Sequence, residues 1–458
     1  MSYLGHERKT RSGRVWASYI ATPDKDAVFP IQLCEEVDAT VLLKEAYERE
    51  AEDKGEEGVS FMTPPAADSA RQEPENKRKR EEGDDGDGQS KDNRRRRVKR
   101  QRKIEEFGHP SGCGHAFDKT VLPAVPITTN FDSTTLPFAK GAWIGKSPKH
   151  IAGAKDRVTL DDLDAKKFGY VAWNGKASVP IVDKDGRILV TLLGCPSDPS
   201  YPEATKRAAS KVLQRREEVD WKAHEVSHER GEGFPAVAYG VSYGKGQPEP
   251  MRLGGPRYGI MEELVADPDI RRVAAFQSAG YALWYPRNYA EFLRRKRELR
   301  DKRPQLKPNF QNSVYSSISI NFGPQTCTHI HLDSKNVPDA CCTITAGGTF
   351  DATQGGHLIL WDLRLVVEFP AGSTILLPSA LLKHSNVPVR DGETRISMTQ
   401  YTAGGIHRWL EYGGRTEDAL KNADREEFRR QMSMRNDRWK AALARFCTIN
   451  ELKSGVVV

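Results

Sequence analysis

Four segments between residues 321 and 409 decide how this chain is interpreted: NFGPQTCTHIHLDSKN (321–336), AGGTFDATQGGHLILWDL (346–363), FPAGSTILLPSALLKHSN (369–386) and RISMTQYTAGGIHRW (395–409). Short apolar runs of strand length alternate here with turns that contain Gly or Pro. No long helical pattern interrupts residues 314–402. Such a pattern is typical of an all-β barrel or sandwich, so the sequence predicts a β-rich core in this part of the chain.

Two of these segments carry histidines and a carboxylate in a pattern that suits a metal ion. His331 and Asp333 are two residues apart, so on a strand their side chains face the same side, roughly 6.5–7 Å apart. His384 follows another apolar run about fifty residues later. Two histidines and one carboxylate form a facial triad that binds iron(II) and leaves three coordination positions open. We therefore predict an Fe(II) site at His331, Asp333 and His384.

His329 offers an alternative to this assignment, because it lies on the same predicted strand face. It could replace His331 as a ligand or add a hydrogen bond to a co-substrate. His331 is favoured because one intervening residue is the usual spacing between such a histidine and its carboxylate. Without further elements, the same residues would describe a strand with incidental histidines.

Arg395 and Ser397 supply the further element. They lie two residues apart in another strand-like segment after His384. The guanidinium fork of an arginine pairs well with a carboxylate, and a hydroxyl adds one hydrogen bond. The open positions of the iron suit a keto acid and dioxygen. The sequence thus predicts 2-oxoglutarate as co-substrate, with Arg395 and Ser397 holding its far carboxylate.

Length and composition limit the class of protein. The chain has 458 residues, of which 38% are hydrophobic. This length is sufficient for a sizeable core. The hydrophobic fraction is low, which indicates that part of the chain is unfolded. No apolar run reaches the roughly 20 residues that cross a bilayer, and no signal core is present. The seven scattered cysteines fit reduced thiols. We expect a soluble intracellular protein without a membrane partner.

The basic charge is concentrated in one tract. Residues 77–103 contain thirteen Lys or Arg and six Asp or Glu, a surplus of +7 that equals the formal charge of the whole chain. Two clusters within it resemble a bipartite nuclear localisation signal, so we predict a nuclear protein; a solvated charged linker or a non-specific phosphate-binding arm is the alternative. The clusters comprise Lys77, Arg78, Lys79, Arg80, Arg94, Arg95, Arg96 and Arg97.

A competing motif occurs at His224-Glu225-Val226-Ser227-His228, which fits the H-E-x-x-H pattern of zinc peptidases. On a helix the two histidines would share one face, with Glu225 as a base. The surroundings are charged and Gly231 follows closely, so the predicted helix, residues 202–228, ends where an active-site helix should continue. Two solvated histidines near a helix end are the favoured interpretation.

The central region resembles the TET/JBP family of 2-oxoglutarate- and iron(II)-dependent dioxygenases, and most closely the versions found in basidiomycete fungi. The resemblance covers roughly residues 235–415. It rests on the metal and arginine positions above and on these stretches: His331-Leu-Asp333-x-x-Asn336, Gly348-Thr-Phe350, GGHLILWDL (355–363), Pro370-x-Gly372, Pro378-Ser379, Leu382-x-His384-x-Asn386, Arg395-x-Ser397 and QYTAGG (400–405).

This resemblance implies a double-stranded β-helix and oxidation of 5-methylcytosine, or thymine, in DNA, with the base flipped out of the duplex. The same cofactor chemistry on N6-methyladenine in DNA or RNA, or a catalytically silent nucleic-acid-binding module, is an alternative. Asn336 occupies the position that contacts the base in that family. The family's pocket histidine falls on Ala403 here, so His407 is the nearest candidate, beside His329.

The predicted fold class is α+β, with a double-stranded β-helix (jelly-roll) core, flanking helices and a disordered basic segment near the N-terminus. The predicted regions are an N-terminal segment (1–54), a disordered linker with the basic clusters (55–110), an α/β support region (111–234), the dioxygenase core (235–415) and a C-terminal helical segment (416–458).

Overall fold

A computed structural model describes residues 113–455 apart from 148–150, 152, 154, 197 and 245, together with two short strands at 8–9 and 15–16. The predicted disordered linker, both basic clusters and most of the N-terminal segment lie outside the described residues.

The β-strands of the described residues are short, two to eight residues each. They are β1 Arg8–Lys9, β2 Val15–Trp16, β3 Ile127–Thr128, β4 Phe138–Ala139, β5 Ile144–Gly145, β6 Gly169–Val171, β7 Val179–Val182, β8 Ile188–Gly194, β9 Ser227–His228, β10 Gly231–Glu232, β11 Ala236–Ser242, β12 Met251–Arg252, β13 Ser317–Asn321, β14 Cys342–Thr349, β15 Leu358–Leu360, β16 Leu365–Val367, β17 Thr374–Leu377, β18 His384–Asn386 and β19 Thr394–Tyr401.

The α-helices lie mainly before β13 and after β19. They are α1 Cys113–Thr120, α2 Leu160–Ala165, α3 Ser200–Glu217, α4 Ala223–Val226, α5 Tyr258–Ala266, α6 Pro268–Trp284, α7 Pro286–Lys302, α8 Gly404–Glu411, α9 Glu417–Ala423, α10 Arg425–Ser433, α11 Arg435–Ala444 and α12 Ile449–Lys453. Short 3-10 helices occur at Ser133–Thr135 and Lys140–Ala142.

Two facing sheets form the core. The larger has nine strands in the order β12-β11-β13-β19-β14-β17-β8-β7-β3, and the smaller has the order β18-β15-β16-β6. From β13 to β19 the chain alternates between the sheets: β14, β17 and β19 join the larger, and β15, β16 and β18 the smaller. A single bridge between His331 and His384 adds one more segment to the smaller sheet beside β18. The sequence prediction of a β-rich core is confirmed.

Period-two alternation sends each strand's side chains to opposite faces. On β17, Ile375 and Leu377 pack toward the smaller sheet, and Leu376 packs toward the helices. On β19, Ile396 and Met398 also face the helices. Arg395 and Ser397 therefore face the space between the two sheets.

Helices α3 and α6 cover the outer face of the larger sheet. A buried amide network fixes α6 there: the Gln277 side chain donates to the Thr345 hydroxyl at 2.9 Å and accepts from the Gln400 side chain at 2.8 Å. Since an unpaired buried amide is costly, this network specifies how the helix packs on β14 and β19.

The support region and the core share both sheets. Strand β8 pairs with β17, and β6 pairs in parallel with β16. The boundary predicted at residue 235 thus runs through sheets to which both regions contribute. None of the helices in the described part of the chain is long and apolar enough to span a membrane.

The helix predicted for residues 202–228 is wrong in its second half. Helix α3 ends at Glu217, and the chain then forms the four-residue helix α4 and the hairpin β9–β10. The Arg257 guanidinium holds the Glu225 carboxylate in a fork at 2.7 and 2.9 Å and also binds the Asp220 carbonyl. These contacts fix a bent segment where a continuous helix was expected.

Candidate metal centre

Three predicted ligands meet at one point. The ligand atoms of His331, Asp333 and His384 all lie within 4.8 Å of one another. The two imidazole rings are 4.3 Å apart between centroids. Backbone bonds fix this approach, because the amides of His331 and His384 each donate to the other's carbonyl at 3.1 Å.

The protonation pattern of the cluster suits a divalent metal. His331 Nδ1 lies 2.7 Å from the His329 carbonyl, and His384 Nδ1 lies 2.9 Å from the Leu382 carbonyl. A carbonyl only accepts, so each Nδ1 carries the proton and donates, which leaves each Nε2 lone pair for a metal. Burial lowers the pKa of both imidazoles, so both stay neutral. The residues present therefore fit an iron(II) ion.

Arg230 contacts the third ligand. Its guanidinium forms an ion pair with the Asp333 carboxylate at 3.0 Å, and about half of its side chain remains exposed. Burial alone would raise the pKa of Asp333, but the Arg230 charge reverses this and keeps it below its usual value. The carboxylate is therefore ionised, as metal ligation requires.

The hairpin β9–β10 brings Arg230 to this position. The Arg230 carbonyl accepts from the His329 amide at 2.7 Å, and Gly231 bridges to Thr328. A Cβ at Gly231 would lie 2.5 Å from the Phe234 ring and 2.8 Å from the Cys327 carbonyl, so only glycine allows so close an approach. The sequence did not predict Arg230 at this site. No local pattern links Arg230 to Asp333, which lies far along the chain.

Arg395 is a buried cation without a carboxylate partner among the described residues. Only 1% of its surface is exposed. One Nη donates to the Thr326 carbonyl at 3.2 Å, the guanidinium lies 5.7 Å from the centre of the Phe369 ring, and Nε has no partner. Burial lowers the pKa of Arg395 to about 10, so the group remains charged at neutral pH. A buried, incompletely bonded guanidinium favours an anionic ligand.

Ser397 lies on the same face of β19 as Arg395. Its hydroxyl accepts from the Asn321 side-chain amide at 2.8 Å. The hydroxyl proton is not used by that bond and can still be donated to a ligand. Tyr401 ends the same strand and was not singled out from the sequence. Burial raises the pKa of Tyr401, and the Asp333 charge adds to this rise while the Arg230 charge opposes it.

The predicted substrate residues occupy three different surroundings. Asn336 follows the metal ligands, donates to the Ser379 hydroxyl at 3.2 Å and bridges to Ala403. His329 is not grouped with Asp333 and His384, and its Nδ1 is buried without a partner. The structure thus groups His331, and not His329, with the other two predicted ligands.

His407 lies in the contact between α8 and α7. Its ring packs edge-on against Phe292 with centroids 4.9 Å apart, and 5% of the residue is exposed. Burial lowers the pKa of His407 to about 3. This packing favours a neutral core histidine over a residue that meets a substrate.

The zinc-peptidase pattern does not form a catalytic site. Helix α4 ends at Val226, so His224 and His228 do not share a helix face. His228 contacts the Phe234 carbonyl at 3.1 Å. The Arg257 fork lowers the pKa of Glu225 to about 2, which makes it a poor base. A metallopeptidase is excluded for this segment.

Gly356 shapes the surroundings of Arg395 and gives a first prediction. Its φ is +74°, and an added Cβ would lie 2.7 Å from the Phe350 ring and 3.3 Å from the Arg395 side chain. Gly392 has φ +80° with nothing within 4 Å. We expect Gly356→Ala to lower the free energy of unfolding by about 1–3 kcal/mol more than Gly392→Ala, because only the first overpacks the interior. Urea denaturation measures both, and equal losses would contradict the close approach.

No family model matches the sequence, and no curated protein matches it. Solved structures give distant likenesses. NgTET1 in complex with 5mC DNA shares 13% identity, with a TM-score of 0.35, over 52% of this chain and 83% of that one. An oxidoreductase of the 2OG-Fe(II) oxygenase family from Burkholderia pseudomallei shares 13% identity, with a TM-score of 0.23, over 44% and 90%. The viral collagen prolyl hydroxylase vCPH from Paramecium Bursaria Chlorella virus-1, in its 2OG complex, shares 11% identity, with a TM-score of 0.19, over 42% and 88%. Identities and TM-scores this low do not indicate the chemistry of the centre. Only the residues of the centre itself indicate that chemistry.

Proposed function

We propose that this protein is an iron(II)- and 2-oxoglutarate-dependent dioxygenase that oxidises 5-methylcytosine in DNA to 5-hydroxymethylcytosine and, by repeated turnover, to the formyl and carboxyl forms. One observation carries the proposal. Arg395, which is buried and has no carboxylate partner among the described residues, faces the same space between the sheets as a cluster of two neutral histidines and one carboxylate. A metal triad accompanied by a buried anion-binding fork suits a dicarboxylate co-substrate that bridges the two.

The strand order supports this proposal. Strands β13, β19, β14 and β17 lie side by side in one sheet. The segment at His331, β18, β15 and β16 lies side by side in the other. A chain that alternates between sheets in this order describes a double-stranded β-helix, or jelly roll. In it, the ligands come from two neighbouring segments of the smaller sheet, and Arg395 comes from the larger sheet opposite.

Different residues of the chain bind the metal and the co-substrate in this proposal. His331, Asp333 and His384 hold the iron, and Arg395 with Ser397 fixes the far carboxylate of 2-oxoglutarate. When bound, the iron with 2-oxoglutarate and dioxygen supplies the oxidation, in which one oxygen atom becomes the new hydroxyl and the other leaves in succinate as carbon dioxide is released. The buried walls between the sheets exclude water and keep the methyl group in line with the reacting atoms.

The base pocket lies on the open side of the centre in this proposal. Asn336 offers an amide for the edge of a flipped base. Arg230 is half exposed beside Asp333. Tyr401, at the end of β19, offers an aromatic ring. Flipping a base costs a few kcal/mol, which stacking and edge hydrogen bonds offset.

Nucleoside analysis tests the proposed function. The full chain is incubated with iron(II), ascorbate, 2-oxoglutarate and DNA or RNA that carries 5-methylcytosine or N6-methyladenine. We expect succinate release and 5-hydroxymethylcytosine in DNA. Loss of N6-methyladenine with formaldehyde release would assign the alternative substrate. No succinate with any substrate would leave only a nucleic-acid-binding module.

Nuclear localisation belongs to this proposal, since the substrate is DNA. Lys77–Arg80 and Arg94–Arg97 are the two clusters. Replacing both clusters by alanine should move a fluorescent fusion from the nucleus to the cytoplasm, whereas replacing Arg294 and Arg297 should not. Unchanged nuclear fluorescence after the double replacement would remove the signal from these clusters.

A further inference from the structure

Backbone hydrogen bonds from two other parts of the chain fix the turn that follows Asp333. The Gly145 amide donates to the Ser334 carbonyl at 2.9 Å, and the Gly404 amide donates to the Lys335 carbonyl at 2.9 Å. Gly145 ends β5 in the support region, and Gly404 belongs to the QYTAGG stretch. Both segments therefore lie directly beside a predicted metal ligand.

Glycines allow these segments to approach one another so closely. An added Cβ at Gly404 would overlap the Trp143 carbonyl oxygen, and an added Cβ at Gly145 would overlap the Ala380 carbonyl oxygen. Only a residue without a side chain fits at either position. The support region is thus fixed against the segments that surround the candidate centre, although the sequence predicts that the dioxygenase core begins only at residue 235.

The segments that meet here carry three lysines and no carboxylate, and we call them the lysine rim. They are residues 143–147, 334–336, 379–383 and 401–405. Lys383 forms an ion pair with Asp362 at 3.0 Å. Lys146 and Lys335 are exposed and form no ion pair with any residue that the structure describes. The rim therefore presents two ammonium groups that are available to an anionic partner.

The two available lysines lie close to the centre and to each other. The hydrogen bond between Gly145 and Ser334 joins their segments, and each lysine is one residue, about 3.8 Å between Cα atoms, beyond this bond. Asn336, which offers its amide to the base in the proposed function, directly follows Lys335. A strand whose base enters the centre would thus pass the two lysines.

The other side of Asp333 suits a polyanion less well. Arg230 is already paired with the Asp333 carboxylate there, at 3.0 Å. Glu229, the residue before it, is exposed and acidic. The charges around the centre therefore favour an anionic strand on the lysine rim.

We infer that Lys146 and Lys335 form a phosphate clamp, which binds the phosphodiester backbone of the nucleic-acid strand that carries the target base. The inference rests on the proposed function and deepens it. A lysine ammonium binds phosphate as a point charge, and phosphate contacts fix the register of a strand without reading its sequence. The clamp positions the strand, and Lys146 makes the support region part of the substrate site.

Salt dependence tests the clamp, because each lysine–phosphate contact releases counterions. The affinity of the full chain for a duplex that carries 5-methylcytosine is measured at about 50 and 200 mM salt, without 2-oxoglutarate, so that no turnover occurs. One lost contact should make the fall in affinity between these concentrations about three- to fourfold smaller. We expect this change for Lys146→Gln and for Lys335→Gln, and about tenfold for the double variant. Lys146→Arg and Lys335→Arg should retain the full salt dependence.

Lys176 provides a matched control. It is exposed, and an added Cβ at the preceding Gly175 would lie 3.0 Å from Ser373, which comes just before β17. Ser379 of the lysine rim follows the opposite end of β17. Lys176→Gln should therefore keep the salt dependence of the unchanged protein. A change as large as those of the rim variants would reveal a general effect of surface charge and overturn the clamp.

A second arm replaces single phosphates on either side of the target nucleotide by uncharged methylphosphonate linkages. Loss of a contacted phosphate should weaken binding of the unchanged protein, and it should weaken binding of the Lys146→Gln, Lys335→Gln double variant much less. Equal losses in both proteins, or salt dependence that does not respond to either lysine, would overturn the clamp. Succinate release with methylated DNA would then still support the proposed function. If the unchanged chain binds no nucleic acid, the clamp and the proposed substrate are both wrong.

Discussion

Replacement of His384 by alanine is expected to abolish succinate release and to remove iron(II) binding. His384 supplies one of three ligand atoms that lie within 4.8 Å of one another, and its Nδ1 is already committed to the Leu382 carbonyl. Loss of an outer partner of such a ligand costs roughly 10–100-fold in metal affinity, and loss of the ligand itself should cost more. Competition with a chelating dye measures the affinity without turnover.

Two histidines provide matched controls for this result. His224 is exposed on α4, away from the triad, so His224→Ala should bind metal as the unchanged protein does. His329→Ala removes the alternative ligand while its backbone can still accept from His331 Nδ1, and it should retain metal as well. If His329→Ala lost metal and His384→Ala kept it, the triad would be assigned to the wrong histidine.

The grouping of His331 with Asp333 could be predicted because the relevant order is local. His331 and Asp333 share a face by period-two alternation, and Arg395 and Ser397 do so on β19. The regular strand expected at His331 is wrong in detail, since only the bridge to His384 forms there. That bridge still holds the two imidazoles close together, because two reciprocal backbone hydrogen bonds fix both histidines.

The change from strand to helix explains why the position of His407 could not be predicted from the sequence. Up to Tyr401 the chain alternates with period two, and from Gly404 it is helical with about 3.6 residues per turn. Counting residues along the sequence cannot follow a side chain across that change. His407 consequently packs on Phe292 of α7, while Tyr401 still follows the alternation of β19.

Arg230 could not be predicted for a different reason. Its segment fits a helical peptidase pattern, and the pattern presupposes that the helix continues. The Arg257 fork on Glu225 and the close docking of Gly231 on Cys327 turn the segment into a hairpin instead. Both contacts are tertiary, so no periodicity within the segment reveals them.

Replacement of Arg395 by alanine should raise the 2-oxoglutarate concentration needed for half-maximal succinate release, with little change in the iron requirement. Truncating one partner of a buried, hydrogen-bonded charge pair costs about 2–5 kcal/mol, which corresponds to a rise of roughly thirtyfold or more. The iron requirement should hold because Arg395 does not contact His331, Asp333 or His384. Titrations of each ligand at saturating levels of the other measure the two effects separately.

Two arginine variants sharpen this result. Arg395→Lys keeps the charge but loses the planar fork, so its 2-oxoglutarate requirement should fall between those of the unchanged protein and Arg395→Ala. Arg390→Ala removes an exposed arginine that pairs with Glu393 in the turn just before β19, and it should leave both requirements unchanged. An equal rise in the iron and 2-oxoglutarate requirements in Arg395→Ala would mean that the guanidinium supports the centre as a whole. In that case Arg395 would not bind the carboxylate of 2-oxoglutarate. The dioxygenase proposal would then lose the observation that carries it.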